Sequence, residues 1–393
     1  MPVSFAGGAD DMPPFDHDAF NDVADMIYNA GGFKPAQIKD QRTRQLMAQT
    51  AGTINTAVDA HLPTDVPDTL RCALEENGFI FSGFKTFHAM RELGLSMLTS
   101  DGNIKSYDEF KKDVQQIDAH YNTNYLYAEW KHAIGACQMA AKWHEQAKDG
   151  DRYDLQYRTA QDPNVREDHR LLHGTTLPLS DPFWDKYYPP NGWGCRCTVV
   201  QVRKGKFPLS DPKLAMLRGD NATDTSKLKI FRYNPGKTMK LYPPQHPYYK
   251  TPAASQKAIE QTARYEYGKL QAKELKAWYK ENLPETNAGK FKAKRYEVEM
   301  PDGQHVYVNK HFYNECISHY ADDELYVARL IYARMAHLLL PKATLIRQEP
   351  ANDHDDATFD VYQFNGDSKY VIELKVKRNA DGLFLYYMRL YKK

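Results

Sequence analysis

The chain has no long hydrophobic run and almost no excess charge. None of its 393 residues lies in an apolar stretch of the roughly 20 residues that a membrane helix needs, so we expect no membrane span. The formal net charge is +1, and overall charge therefore favours neither nucleic acid nor an anionic membrane as a partner. The first residues lack a basic start followed by an apolar segment, so we also expect no secretory signal.

Cysteine is scarce, and its number is odd. Of the five cysteines, only Cys195 and Cys197 are close together in the sequence. This pattern does not suit a disulfide framework, and it predicts reduced thiols in a cytosol. The composition is 42% hydrophobic and 26% charged, which is typical of globular proteins, and the length suits two or three domains.

Hydrophobic patterning predicts an α+β protein with five regions. We expect a flexible N-terminus at 1–16, a mainly helical region at 17–150 and a loop-rich region with cysteine and histidine at 151–203. A proline-rich connector and a charged helix follow at 204–289. The last region, 290–393, is predicted to be a small α+β domain on an antiparallel sheet.

Periodicity predicts the individual elements. Apolar residues recur with the helical period in four segments, namely Phe20 to Leu62 (with interruptions), Asp108 to Tyr121, Asn124 to Gln146 and Ser255 to Asn282. The C-terminal region contains a hairpin signal at Pro301-Asp302-Gly303 and a helical pattern from Asp323 to Leu340. Three strands are predicted after them, at Phe359–Phe364, Tyr370–Val376 and Leu383–Tyr391.

The stretch from Tyr157 to Cys197, called the block below, combines the residue types of a metal site. His169 and His173 are four residues apart, so a helix over Pro163 to Leu172 would place both imidazoles on one side. Cys195 and Cys197 follow a glycine-rich turn, and two imidazoles with two thiolates can form a closed tetrahedral zinc site. The alternative is that the histidines pack or hydrogen-bond while both cysteines are buried thiols.

The block resembles the phage head morphogenesis family, the minor head proteins like protein F of Mu-like phages. The resemblance covers roughly residues 70–203. The matching residues are Tyr157-Arg158-Thr159, Asp162, Val165-Arg166, His169, Leu172, Gly174, Asp181-Pro182-Phe183-Trp184, Tyr188-Pro189-Pro190 and Gly194-Cys195-Arg196-Cys197. His173 is not part of the family pattern, which favours His169 as the better of the two histidine ligands.

The resemblance implies a minor capsid protein of a phage or prophage. Its implied partners are the portal protein and the procapsid and scaffold proteins, with DNA nearby during packaging. Its implied location is the host bacterial cytoplasm during assembly and the virion head afterwards.

Residues 290–393 are similar to the barnase/EndoU/RelE-like nucleases found in phage proteins. The similarity lies in a helix with His311 and His319 and in a meander that ends in Glu373–Lys377 and Tyr386–Tyr391. It implies a ribonuclease toxin that needs no metal or other cofactor, with RNA as substrate and an immunity protein as a further partner.

The alternation of side chains along the predicted strands places possible catalytic residues on shared faces of the sheet. Glu373 and Lys375 share one face of a predicted strand, and Arg389 and Tyr391 share a face of the next. RNA cleavage needs a proton acceptor, a proton donor and cations beside the phosphate. The candidate catalytic residues are His311, His319, Glu373, Lys375, Arg389 and Tyr391.

Two alternatives remain open for these residues. The polar alternation also fits the solvated side of a sheet, which would make the protein a purely structural minor head protein with an inactive C-terminal module. A bacterial toxin delivered between cells is the other alternative.

Overall fold

The computed structural model describes residues 12–288, 291–318, 324–350, 358–365 and 370–393. It confirms the predicted α+β class. The chain divides into two compact units, one up to Ala263 and one from Arg264 onward. Within the described ranges, no helix is both long enough and apolar enough to cross a bilayer.

The first unit begins with five helices. They are α1 (Asp18–Asn29), α2 (Gln41–His61), α3 (Asp68–Ser96), α4 (Tyr107–Asp118) and α5 (Leu126–Asp149). Helix α4 starts with a capping box, in which the Ser106 hydroxyl accepts a hydrogen bond from the Glu109 backbone and the Glu109 carboxylate accepts one from the Ser106 backbone. The predicted pair of central helices is confirmed, and a π-helical segment at Ala119–Tyr125 joins them.

Helix α3 is much longer than the short apolar segment that the sequence shows from Cys72 to Thr86. It has 29 residues and buries side chains on nearly every side, including Asn77 and Lys85. The Lys85 ammonium forms an ion pair of 2.5 Å with the Glu129 carboxylate of α5, and both side chains are buried. A helix buried all round shows no amphipathic stripe, which is why periodicity does not reveal its length.

Helix α5 supports two hydrophobic cores of the first unit. Trp130 and Ile134 pack with α2 and α3 in one core. Met139 and Trp143 pack against the aromatic side chains of the block in the other. The block is therefore built directly on α5.

The block and the residues on either side of it contain five short elements. They are β1 (Tyr153–Arg158), α6 (Glu167–Arg170), β2 (Thr176–Pro178), α7 (Phe183–Tyr187) and β3 (Thr198–Arg203). The strands form an antiparallel sheet in the order β2-β1-β3. Strand β3, which the valines at 199, 200 and 202 predict after the cysteine pair, is thus confirmed.

The observed helix is shorter than the one predicted over Pro163 to Leu172. The Asp162 carboxylate accepts a hydrogen bond from the Asn164 backbone and forms a local turn there. The backbone of Arg166 is extended, with ψ at 139°, so the helix begins only at Glu167. It ends at Arg170, three residues before His173.

The proline-rich connector is more regular than predicted. It contains α8 (Pro212–Ala222), α9 (Ser226–Lys229), α10 (Pro235–Thr238) and a 3-10 turn at Pro247–Tyr249. Its Tyr242 ring stacks on Phe81 of α3, with centroids 3.6 Å apart. The connector therefore completes the core of the first unit. The charged helix after it, α11 (Ala253–Asn282), agrees with the prediction and ends within the second unit.

The second unit is a seven-stranded sheet with helices. Its strands are β4 (Glu285–Ala288), β5 (Phe291–Glu299), β6 (His305–Asn309), β7 (Thr344–Pro350), β8 (Thr358–Phe364), β9 (Tyr370–Asn379) and β10 (Gly382–Lys392). The order is β4-β5-β6-β10-β9-β8-β7. The hairpin and the three predicted strands are confirmed, but β6 and β10 run parallel, so the sheet is not purely antiparallel. Strand β7 was not predicted.

Three helices complete the described part of this unit. They are α12 (Lys310–Ser318), α13 (Glu324–Arg334) and α14 (Ala336–Leu339). The single helix predicted from Asp323 to Leu340 is interrupted at Met335, whose φ of -97° and ψ of 1° depart from helical values. Asp323 lies outside the described residues, as do residues 1–11 of the predicted flexible N-terminus.

Two helix glycines should respond in opposite ways to replacement by alanine. In α8, a Cβ on Gly219 would lie 2.4 Å from the ring of Tyr187, whereas a Cβ on Gly52 in α2 would have no heavy atom within 4 Å. We expect Gly219→Ala to lower the free energy of unfolding by about 1–3 kcal/mol through overpacking. Gly52→Ala should raise it by about 0.5–1 kcal/mol, because alanine loses less backbone entropy in a helix. Urea denaturation of both variants is the measurement, and equal effects of the same sign would contradict this packing.

Candidate metal centre

Three of the four predicted metal ligands meet in the block. The Nδ1 atom of His169 lies 3.7 Å from the Cys195 sulfur and 3.6 Å from the Cys197 sulfur. The ligand atoms of the three residues all lie within 4.8 Å of one another. All three side chains are buried, with 2%, 6% and 3% of the residue surface exposed.

Local backbone geometry turns both cysteines inward. Gly194 has a φ of +66°, in the left-handed region that glycine adopts without strain, just before the Cys-Arg-Cys sequence. Arg196 lies between the two thiols and pairs with the Asp162 carboxylate through two contacts of 2.5 Å. Alternation along this extended segment therefore places the thiols in the core and the guanidinium at the surface.

His173 lies apart from this cluster. Its Nδ1 accepts a hydrogen bond of 3.2 Å from the Thr159 backbone, and its Nε2 lies 3.0 Å from the Gln161 amide nitrogen. Because α6 ends at Arg170, the two histidines do not occupy one helix face. The imidazole of His173 instead stabilises the turn after β1 through its contacts with Thr159 and Gln161.

The two thiols differ in acidity. A hydrogen bond from Cys197 lowers the pKa of Cys195 well below its usual value, and His169 lowers it further. The same bond to Cys195, together with burial, raises the pKa of Cys197. Of the two thiols, that of Cys195 therefore has the lower pKa. Burial also raises the pKa of Tyr157, whose phenol is close to both sulfurs.

In the second unit, cross-strand register brings four predicted catalytic residues onto one face. Glu373 of β9 is paired with Arg389 of β10, and Lys375 is paired with Tyr387 two residues further along. Tyr391 lies on the same face, since its hydroxyl donates a hydrogen bond of 3.2 Å to the Glu373 carboxylate. The Arg389 guanidinium lies 5.3 Å from the centre of the Tyr391 ring.

Ion pairs with β7 occupy this face. The Arg347 guanidinium donates to both carboxylate oxygens of Glu373, at 2.9 and 3.0 Å. Lys375 forms an ion pair with Glu349. Arg347 and Glu349 are not among the residues predicted from the sequence, although their spacing of two residues between Thr344 and Pro350 is a strand signal.

The bond to Arg347 holds the pKa of Glu373 below its usual range. Glu373 is therefore ionised near neutral pH and cannot donate a proton there. A general base works best with a pKa near the working pH, so this carboxylate is better suited to orientation and charge balance.

His311 occupies a different place from these four residues. It lies at the start of α12, and its ring centroid is 4.9 Å from that of Tyr386. It lines a cleft of about 740 Å³ whose other basic side chains are Lys280, Lys294, Arg295 and Lys310. Glu373, Lys375, Arg389 and Tyr391 do not line this cleft. His319 lies outside the described residues.

The ion pair of Glu373 predicts a pH-dependent contribution to stability. Because the folded-state pKa of Glu373 is lowered, its stabilisation is present above the unfolded-state pKa of about 4.3 and is lost as the pH falls through the folded-state value. We expect Glu373→Gln to lower the melting temperature near pH 7, and the difference from the wild type to shrink toward acidic pH. Thermal denaturation across this range is the measurement. Glu281→Gln, at an exposed position, is the control, and a pH-independent deficit for Glu373→Gln would contradict the ion pair.

Comparison with known proteins finds a match in the region that contains His169, Cys195 and Cys197. The family described as Phage Mu protein F like protein matches residues 101–200. The chain is 36% identical over 85 residues to the Mu-like prophage FluMu F protein of Haemophilus influenzae (strain ATCC 51907 / DSM 11121 / KW20 / Rd), covering 20% of each chain. It is 38% identical over 89 residues to "Putative capsid assembly protein F" of Escherichia phage Mu, covering 20% of this chain and 19% of that protein. No solved structure matches.

The matched segment spans about a fifth of the length of these curated relatives. The family match begins before α4 and ends within β3, so it includes His169, Cys195 and Cys197, and it does not extend into the second unit. Residues 101–200 therefore match the phage Mu protein F-like family, as the resemblance predicted.

Proposed function

We propose that the protein is a minor head protein of a Mu-like phage or prophage and is incorporated during head assembly. The observation that carries this proposal is the position of the family match, residues 101–200, on α4, α5 and the block. Both relatives are F proteins of Mu-like elements, and the name of one describes capsid assembly.

The fold supports the proposal that this region is already folded before it joins the phage head. Trp184, Tyr187 and Tyr188 are fully buried and pack against α5 together with Tyr157. Such a core gives the region a defined surface before any partner binds. We propose the portal protein and the procapsid or scaffold proteins as its partners, with DNA nearby during packaging. The proposed location is the host cytoplasm during assembly and the virion head afterwards.

Head incorporation should depend on the core of the block and not on the core of the second unit. Trp184→Ala and Tyr313→Ala each remove a fully buried aromatic side chain, one from each unit. Such truncations typically cost about 3–5 kcal/mol. We expect Trp184→Ala to reduce the amount of the protein in purified heads at least several-fold, whereas Tyr313→Ala leaves it nearly unchanged.

The measurement is quantitative mass spectrometry of heads made with each variant, normalised to the portal protein. Recovery of the portal with the wild-type protein from lysed, unassembled material tests the proposed contact. If the wild type is missing from heads, or if both variants are lost equally, the assignment of head function to residues 101–200 is wrong.

As a second function, we propose that the second unit cleaves RNA. The cleft with His311 and four other basic side chains supports this proposal, because clustered cations attract a phosphodiester backbone. In this reaction a base removes the 2′-hydroxyl proton, the oxygen attacks phosphorus, and the 5′-oxygen leaves with a proton from an acid. Histidine serves either proton transfer near neutral pH. An immunity protein would be a further partner, and no metal is required.

Loss of His311 should abolish RNA cleavage by the full-length protein. His311 and His305 have similarly exposed side chains, at 52% and 50%, and each lies near one glutamate. We expect His311→Ala to slow cleavage at least 100-fold, which is the usual contribution of general acid–base catalysis. His305→Ala should retain the wild-type rate.

The assay uses labelled RNA in the presence of a chelator. Intact RNA after incubation with the wild-type protein would reject the ribonuclease and leave a purely structural head protein. Equal activity of both histidine variants would reject His311 as the proton carrier.

A further inference from the structure

We propose that His169, Cys195 and Cys197 bind a structural zinc ion that closes the block. The ligands are the imidazole Nδ1 and the two sulfurs. This site differs from the four-ligand site that the sequence suggests, because His173 is excluded from it. The proposal depends neither on the head function nor on RNA cleavage.

The distances match the edges of a zinc tetrahedron. With Zn–S bonds of about 2.3 Å and Zn–N bonds of about 2.0–2.1 Å, a tetrahedral centre places sulfur and nitrogen about 3.6 Å apart. The Nδ1 atom of His169 is 3.7 Å from the Cys195 sulfur and 3.6 Å from the Cys197 sulfur. Both sulfur–nitrogen separations therefore fit a common tetrahedral centre as they stand.

The donor set suits zinc better than it suits magnesium or calcium. Two thiolates and an imidazole suit zinc, whereas magnesium and calcium prefer oxygen ligands. All three side chains are buried. Two adjacent buried thiolates are costly without a compensating cation, and a divalent ion supplies that charge.

The surroundings leave room for a fourth ligand of the size of water. A cavity of about 10 Å³ adjoins the cluster and is lined in part by Asn164, Arg166 and Gly194. This volume is close to the minimum that holds one water molecule. Among the described residues that line the cavity, none is a carboxylate that would serve as a general base, and this favours a structural ion over a catalytic one.

The ion would connect distant parts of a segment that has little regular structure. His169 belongs to α6, which has only four residues, and the cysteines lie 26 and 28 residues further along, just before β3. A metal bridge across such a loop reduces the entropy of the unfolded chain. Binding at Nδ1 leaves the imidazole proton on Nε2, a buried atom with no hydrogen-bond partner in the structure.

Metal analysis of the full-length protein tests this proposal. The protein is purified under reducing conditions without chelator from zinc-supplemented cells, and zinc per chain is measured by plasma mass spectrometry. We expect about one zinc per chain for the wild type, and a loss of at least tenfold in His169→Ala, Cys195→Ser and Cys197→Ser. His173→Ala and Cys137→Ser, the latter at a buried cysteine outside the cluster, are the matched controls and should retain the ion.

Cobalt substitution provides a second readout that does not depend on the stability of the variants. Cobalt added to metal-free wild-type protein should give the near-ultraviolet absorption of thiolate-to-cobalt charge transfer, and zinc should abolish it. Absence of both zinc and this absorption would overturn the proposal. Retention of zinc by the three ligand variants, or its loss from His173→Ala, would also overturn it.

Discussion

The block folds because buried side chains provide hydrogen bonds that regular secondary structure supplies elsewhere. Its helices have four and five residues, and its strands have at most six. The Asn191 amide donates to the Tyr187 carbonyl and to the Tyr157 hydroxyl, at 2.9 and 3.1 Å. The Trp184 indole donates to the Pro178 carbonyl at 3.0 Å. Because buried polar groups without partners are costly, these bonds determine how the loops can pack.

Helix α5 connects this network to the rest of the first unit. Gln146 accepts a hydrogen bond from the Tyr188 hydroxyl and donates one to the Val199 carbonyl. The helix thereby positions both β3 and the aromatic side chains of the block. The family match covers this helix and the block together, and it does not extend into the second unit. That division is the physical basis for assigning the head function to the first unit and RNA cleavage to the second, as two separable proposals.

Sequence patterns predict the elements whose burial is one-sided and whose contacts are local. Helix α5 and the strands β8 to β10 show clear periodicity, and the structure confirms them. Periodicity does not predict α3. This helix is buried on nearly all sides, so its sequence lacks the alternation of apolar and polar faces that marks an amphipathic helix. The spacing of His169 and His173 wrongly predicts one shared helix face. The turn at Asp162 means that the helix begins only at Glu167, and it ends before His173. The ion-pair partner of Glu373, Arg347, comes from a strand 26 residues earlier, and no local pattern specifies that pairing.

The central physical claim is that the thiols and the imidazole of the block share one ion. X-ray absorption at the zinc edge of the purified full-length protein tests it most directly. The account predicts two sulfur neighbours at about 2.3 Å and one imidazole nitrogen at about 2.0–2.1 Å, with one light atom completing the shell. A shell of oxygen and nitrogen neighbours alone, without sulfur, would contradict it.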